Sequence, residues 1–207
     1  MLKQVTLLVC GGMHPPSYTG QILAVIARDR ELSHLSQVVC APQHDLGVLS
    51  PFALRQVLEN HLALENTFAS DLGKSAAEAT PAALIIWAFS AGCVGAAALA
   101  SHWQRYRGRV LALFMVDGWG VPRDPGVPVH RLSHDQTTHN TSRWLGSGDE
   151  DFYADPAVTH LPLWQQPQRA TGWAITPGQA RQRITAAEFL CGRSLDYIDR
   201  YQRLNGG

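Results

Sequence analysis

Short apolar runs alternate along this chain with longer stretches of helical period, and that alternation leaves few architectures open. A run such as Ala83 to Phe89 is apolar at every position, so it has no polar face to show to water and reads as a strand buried on both sides. Strands of that kind belong to a parallel sheet covered by helices. The expected fold is therefore α/β: a doubly wound, mostly parallel sheet of about six strands with helices on both faces. The candidate strands are Val5 to Cys10, Gln37 to Ala41, Ala83 to Phe89, Val110 to Val116, Val127 to Leu132 and Phe152 to Val158. Helical spacing runs from Thr19 to Arg30, through Ile22, Val25 and Ile26, and from Pro51 to Ala69, where Ser50-Pro51 makes a favourable start and the apolar positions include Leu54, Leu58 and Phe68. Ala91 to Tyr106 reads as a largely buried helix. Thr176-Pro177 opens a last amphipathic helix to about Tyr201, ending before Asn205-Gly206. The segment from Gly118 to Gly126 contains Pro122 and Pro125 and is too short for a crossover helix, which predicts a loop crossover between the fourth and fifth strands.

Composition narrows the function classes. The chain has 207 residues, which one domain spanning 1–207 accommodates, and its 45% apolar and 16% charged content suits a large interior. Seventeen basic side chains balance seventeen acidic ones, so no net field draws a nucleic acid or an anionic membrane surface. Met1 to Cys10 carries one lysine and a short apolar run leading into Gly11-Gly12, without the small-residue cleavage pattern of a signal peptide; a buried first strand and a cytoplasmic location are expected. Ala82 to Ala100 has no charge over 19 residues, long enough to cross a bilayer. Its strongly apolar residues crowd into the first half, however, while alanine, glycine and Ser90 fill the second, a strand followed by a helix rather than a membrane span. Cys10, Cys40, Cys93 and Cys191 are scattered without C-x-x-C spacing, as reduced and mostly buried thiols would be.

The most specific local pattern is Leu84-Ile85-Ile86-Trp87-Ala88-Phe89-Ser90-Ala91-Gly92, an apolar strand running straight through a serine into a helix of small residues. It resembles the nucleophile elbow of the α/β-hydrolases, in which the strand reverses sharply into a helix and small residues two before and two after the serine leave room for a strained backbone. Gly92 matches that pattern; Ala88 stands where glycine is usual. The resemblance implies a small, lidless serine hydrolase or esterase with Ser90 as nucleophile and the Ala91 N–H as one oxyanion donor. Cys10-Gly11-Gly12-Met13 resembles the superfamily's His-Gly loop, with Cys10 in place of histidine, which implies a second N–H from Gly12 or Met13. A serine that merely caps a buried helix is the plain alternative.

Superfamily order runs serine, acid, histidine. His160 follows the last candidate strand, where the resemblance places the base; His139 and His134 are alternatives. Asp135, past the strand Val127 to Leu132, is the expected acid, and Asp117, ending the strand Val110 to Val116, competes with it. With no room for an inserted lid the site is expected to be open, with Trp119 and Tyr18 as possible walls. A zinc site at His130, His134 and Asp135 is disfavoured, because His130 and His134 would share a face only on a helix and no H-E-x-x-H occurs. The expected activity is cleavage of a carboxylic ester or thioester in a small-molecule acyl substrate, with no cofactor and no metal. Acyl transfer by the same residues and a non-catalytic binding protein on the same scaffold are alternatives. A nucleotide-binding domain built on Cys10-Gly11-Gly12 lacks G-x-G-x-x-G.

Overall fold

The computed structural model describes residues 5–41, 46–71 and 83–205, with side chains of 65–71 excepted. Met1 to Gln4, Ala82 and Gly206 therefore lie outside the described residues, as does the side chain of Phe68. The chain forms an eight-stranded sheet: β1 (Val5–Cys10), β2 (Ser36–Cys40), β3 (Ala83–Phe89), β4 (Val110–Val116), β5 (Val129–Ser133), β6 (Glu150–Ala154), β7 (Thr171–Ile175) and β8 (Gln182–Thr185), in the order β2-β1-β3-β4-β5-β6-β7-β8. The pairs from β2 to β6 are parallel. β7 and β8 join antiparallel, so the sheet is mixed at one end and has two strands more than expected. Helices α1 (Pro16–Arg28), α2 (Arg30–Leu35), α3 (Pro51–Asp71), α4 (Gly92–Tyr106), α5 (Gln136–Ser142), α6 (His160–Gln165) and α7 (Ala186–Asn205) complete the fold.

The central strands explain the two-sided cover. In β3, Ile85, Trp87 and Phe89 point into one apolar cluster while Leu84, Ile86 and Ala88 point into another, the two-residue alternation of a pleated strand. The first cluster takes in Ile22 of α1, Trp164 of α6 and Phe189 of α7; the second takes in Leu54 of α3 and Leu99 of α4. A strand buried on both faces gains apolar burial at every residue, at roughly 25 cal/mol per Å². The uncharged stretch is thus β3 followed by α4, and among the described residues no helix is long and apolar enough to cross a membrane.

Other segments differ from expectation. The helix anticipated at Thr176-Pro177 begins only at Ala186. Gly178 adopts φ +75°, a turn conformation, and β-branched Ile184 and Thr185 pair in β8 with β7. The helix expected from Thr19 to Arg30 is α1, which starts earlier, at Pro16, and ends at Arg28; Asp29 then caps a separate short helix, α2, by accepting the Leu32 N–H at 3.0 Å. β6 ends at Ala154, ahead of Pro156, rather than reaching Val158. The crossover from β4 to β5 carries no helix, in line with its prolines. Arg131, buried within β5, donates to the carbonyl oxygens of Val121 and Gly146 at 2.8 and 2.7 Å and so fastens that loop. None of the four cysteines forms a disulfide, and Cys10, Cys93 and Cys191 are buried.

Candidate functional site

The strand order turns back once, with β2 on one side of β1 and β3 on the other, and in a parallel sheet such a point leaves a crevice beyond the strand ends. Gly11 and Gly12 follow β1 there, Ser90 follows β3, Asp117 follows β4 and His134 follows β5, while His160 opens α6 after β6. Register keeps these ends level: Cys10 lies opposite Ala88, Phe89 opposite Val116, and Val116 opposite Leu132. Five chain segments thereby converge on one place, four of them bringing a side chain and the Gly11-Gly12 segment its backbone.

Ser90 and Asp117 are the non-glycine residues with left-handed backbone among the described residues, at φ 52° and 50°. Each such conformation costs about 1–3 kcal/mol and persists only where the surroundings impose it. For Ser90 the imposition is visible. Its N–H donates to the Val116 carbonyl at 2.8 Å, and its own carbonyl accepts from the Cys93 N–H at 3.0 Å, so the end of one strand and the start of α4 grip it from both sides. Close approach explains the neighbouring glycines. A Cβ on Gly92 would lie 2.4 Å from the Gly11 carbonyl oxygen, and one on Gly12 would lie 3.0 Å from the Phe89 oxygen and 3.1 Å from the Ser90 Cβ. The Gly11-Gly12 backbone is therefore packed against the serine turn.

His160 joins the two strained residues. Its Nε2 is 3.0 Å from Ser90 Oγ and its Nδ1 is 2.8 Å from Asp117 Oδ2. A carboxylate only accepts, so Nδ1 carries the proton, and Nε2 is left to accept from the serine hydroxyl. The ring is stacked on Phe89 at 4.7 Å, and Phe89 in turn on Trp164 at 5.2 Å. The Trp164 Nε1–H donates to Thr19 Oγ1 at 3.3 Å, which ties this stack to α1.

Asp117 is almost fully buried and serves a second imidazole. His134 Nδ1 lies 2.9 Å from the same Oδ2, and the His134 backbone N–H donates to Oδ1 at 3.0 Å. Burial by itself would push the Asp117 carboxyl up, but the hydrogen bonds from His134 and His160 hold it below the usual carboxylate range. The same hydrogen bond raises the pKa of His134, against a smaller effect of burial, and the charges of Asp117 and Asp135 add to it. Trp119 and three threonines, Thr137, Thr138 and Thr141, wall a cavity of about 270 Å³ over Asp117, His134 and His160.

The expected residues are distributed unevenly. Ser90 and His160 meet, and Asp117 rather than Asp135 holds His160. Asp135 is instead the N-cap of α5: its carboxylate accepts the Thr138 N–H at 2.6 Å and lies 3.3 Å from His134 Nε2. The cause is local, since an aspartate immediately before a helix is drawn to the unpaired first-turn N–H groups. His139 is buried away from the serine, stacked on Tyr153 at 5.3 Å, and burial lowers its pKa to about 4. Gly12 abuts Ser90, Ala91 caps α4, and Met13 is exposed. Tyr18 packs against the core and stacks on His14 at 5.7 Å. Sequence reasoning missed Phe89 and Trp164 as supports of His160, and the sharing of Asp117 by two histidines; nothing in local spacing signals either.

His130 does not join His134 and Asp135. It is buried in β5, stacked on Phe114 at 4.7 Å, with Nδ1 donating to the Glu150 carbonyl at 3.0 Å. Asp117, His134 and His160 do offer ligand atoms within 4.8 Å of one another. The oxygen-to-nitrogen separations of 2.8 and 2.9 Å are those of direct hydrogen bonds. Compared with models of known protein families and with curated protein sequences, the chain matches none.

Proposed function

We propose that the chain is a serine hydrolase of the α/β-hydrolase type that cleaves a carboxylic ester or thioester through an acyl-Ser90 intermediate. The observation that carries this reading is the unbroken hydrogen-bonded line from Ser90 Oγ through His160 to the buried Asp117, with Ser90 held at a left-handed turn beyond a strand end. His160 Nε2 takes the proton as Ser90 Oγ attacks the acyl carbon, and Asp117 stabilises the imidazolium that forms. The Ala91 N–H, with that of Gly12 or Met13, receives the developing oxyanion, a role that the close packing of Gly12 on Ser90 supports. His160 then gives its proton to the departing alcohol or thiol, and water activated by the same imidazole releases the acid. The acid is thus Asp117 in place of Asp135.

The test is labelling of the folded protein with a fluorophosphonate probe. Wild type is expected to take up one label, with Ser90→Ala taking up none and His160→Ala reacting at least a hundredfold more slowly. Folded wild type that stays unlabelled would make the chain a binding protein that carries the scaffold without the chemistry.

A further inference from the structure

Two parts of the site meet at a hydroxyl that acyl transfer does not itself use. Thr19, near the start of α1, is fully buried. Its Oγ1 accepts the Trp164 Nε1–H at 3.3 Å and lies 3.5 Å from His14 Nε2. The ends of this line fix the roles along it. The Pro15 carbonyl, 2.9 Å from His14 Nδ1, only accepts, so Nδ1 carries the ring proton and Nε2 is left to accept the single proton of the Thr19 hydroxyl. An indole N–H only donates, so Trp164 takes a lone pair of the same oxygen. With one hydrogen bond received and one given, the hydroxyl has a single useful orientation.

On one side this oxygen presses on the loop after β1. A Cβ on Gly11 would lie 2.6 Å from Thr19 Oγ1 and 3.2 Å from His14 Nε2, so the hydroxyl fills the space that a side chain at Gly11 would need. The His14 N–H closes the same loop on the Gly12 carbonyl at 3.1 Å, and Gly12 is the residue packed on Ser90. On the other side the hydroxyl holds α6. Trp164 lies one turn after His160 in that helix, and the two rings stack on Phe89 at 5.2 and 4.7 Å, while His14 meets Phe89 at 5.5 Å. A buried indole N–H that loses its acceptor is costly, so Trp164 without the hydroxyl would move toward another partner and carry His160 with it.

We propose that Thr19 is a positioning residue whose hydroxyl ties the Gly11-Gly12 loop to the helix that carries His160, and so fixes the spacing of oxyanion donor and general base about Ser90. The inference rests on the serine hydrolase reading. Thr19 touches none of the reacting atoms; it acts through Trp164 on one side and through Gly11 and His14 on the other. Misplacement of a reacting group by about 1 Å can cost on the order of a hundredfold in rate, so a joint of this kind bears on turnover as well as on folding.

Thr19→Val keeps the branched shape and removes both hydrogen bonds. Its kcat for a p-nitrophenyl ester, referred to folded protein, is expected to fall about tenfold with KM changed by less than about twofold, because geometry at the reacting atoms is lost rather than uniform binding. Thr19→Ser, which keeps the oxygen, is expected to restore kcat to within about twofold of wild type. Trp164→Phe removes the donor alone and keeps a ring on Phe89; it should lower kcat by itself and by less than about twofold in the Thr19→Val background, since both changes break one link. A Thr19→Val enzyme that loses stability in urea yet keeps wild-type kcat, or a Thr19→Ser enzyme as impaired as Thr19→Val, overturns the proposal. If Thr19→Val does not fold, a Trp164→Phe enzyme with wild-type kcat overturns it. NMR reads the link without turnover: in Thr19→Val or Trp164→Phe the Gly12 amide and the His160 ring signals are both expected to shift, and a change confined to residue 164 counts against the link. Wild type that takes up no fluorophosphonate overturns the hydrolase reading instead, with the NMR signals still deciding whether the hydroxyl joins the two segments.

Discussion

Two aspartates compete for one role at the residue scale, and hydrogen bonding decides between them. Asp117 Oδ2 is 2.8 Å from His160 Nδ1 and the side chain is buried, whereas the Asp135 carboxylate faces solvent and spends one oxygen on the cap of α5. A buried carboxylate against an imidazole stabilises the forming imidazolium more than one screened by water. Asp117→Asn is therefore expected to lower kcat by about 10³–10⁴, because the amide would favour the wrong tautomer of His160, while Asp135→Asn lowers plateau kcat by less than about tenfold. Steady-state kinetics at pH 8 on the two variants decides the assignment.

At the scale of elements, the contact between the start of α4 and the loop after β1 holds the serine turn in place. Gly92 opens α4, and on helix propensity alone Gly92→Ala would be favourable by about 1 kcal/mol. Sterics oppose this, since the added Cβ would sit 2.4 Å from the Gly11 oxygen and 2.9 Å from the Cys10 oxygen, both backbone atoms. Overpacking of that kind costs about 1–3 kcal/mol, so the variant is expected to be less stable by about 1–2 kcal/mol in urea unfolding and to lose most labelling of Ser90. Equal or greater stability would mean that the loop shifts freely and that the close packing does not hold the turn.

For the whole molecule, acid stability follows from histidines on opposite sides of the balance. Burial lowers the pKa values of His130 and His139 to about 4, against about 6.5 in an unfolded chain. Their folded values are depressed, so the stability they permit is complete above pH 6.5 and is lost as pH falls toward 4, by about 3 kcal/mol for each. His134 is raised, so its contribution has the opposite sign, present at low pH and lost as pH rises through its folded value. The two buried rings outweigh the partly exposed one, and the urea midpoint is expected to fall between pH 7 and pH 4. His139→Phe keeps the stack on Tyr153 and removes a ring nitrogen without a partner, so it should cancel about half of that fall. An unchanged slope would show that His139 reaches water before the protein unfolds.

Local sequence sufficed for what depends on near neighbours. The all-apolar run Ala83 to Phe89 could only be a buried strand, the prolines of the 118–126 segment excluded a crossover helix, and the strand-serine-glycine pattern marked the turn at Ser90. Where the last helix was expected to open, at Thr176-Pro177, the chain instead makes a turn and then pairs Gln182 to Thr185 with β7, because a strand's partner is chosen in space. The same limit governs the site. Asp117 and Asp135 each follow a strand and cannot be ranked by spacing; only the packing of β4, β5 and α6 brings one of them under His160 and sends the other to a helix end. Hydrogen bonds across 43 and 70 residues are properties of the folded sheet, and no pattern along the chain encodes their directions.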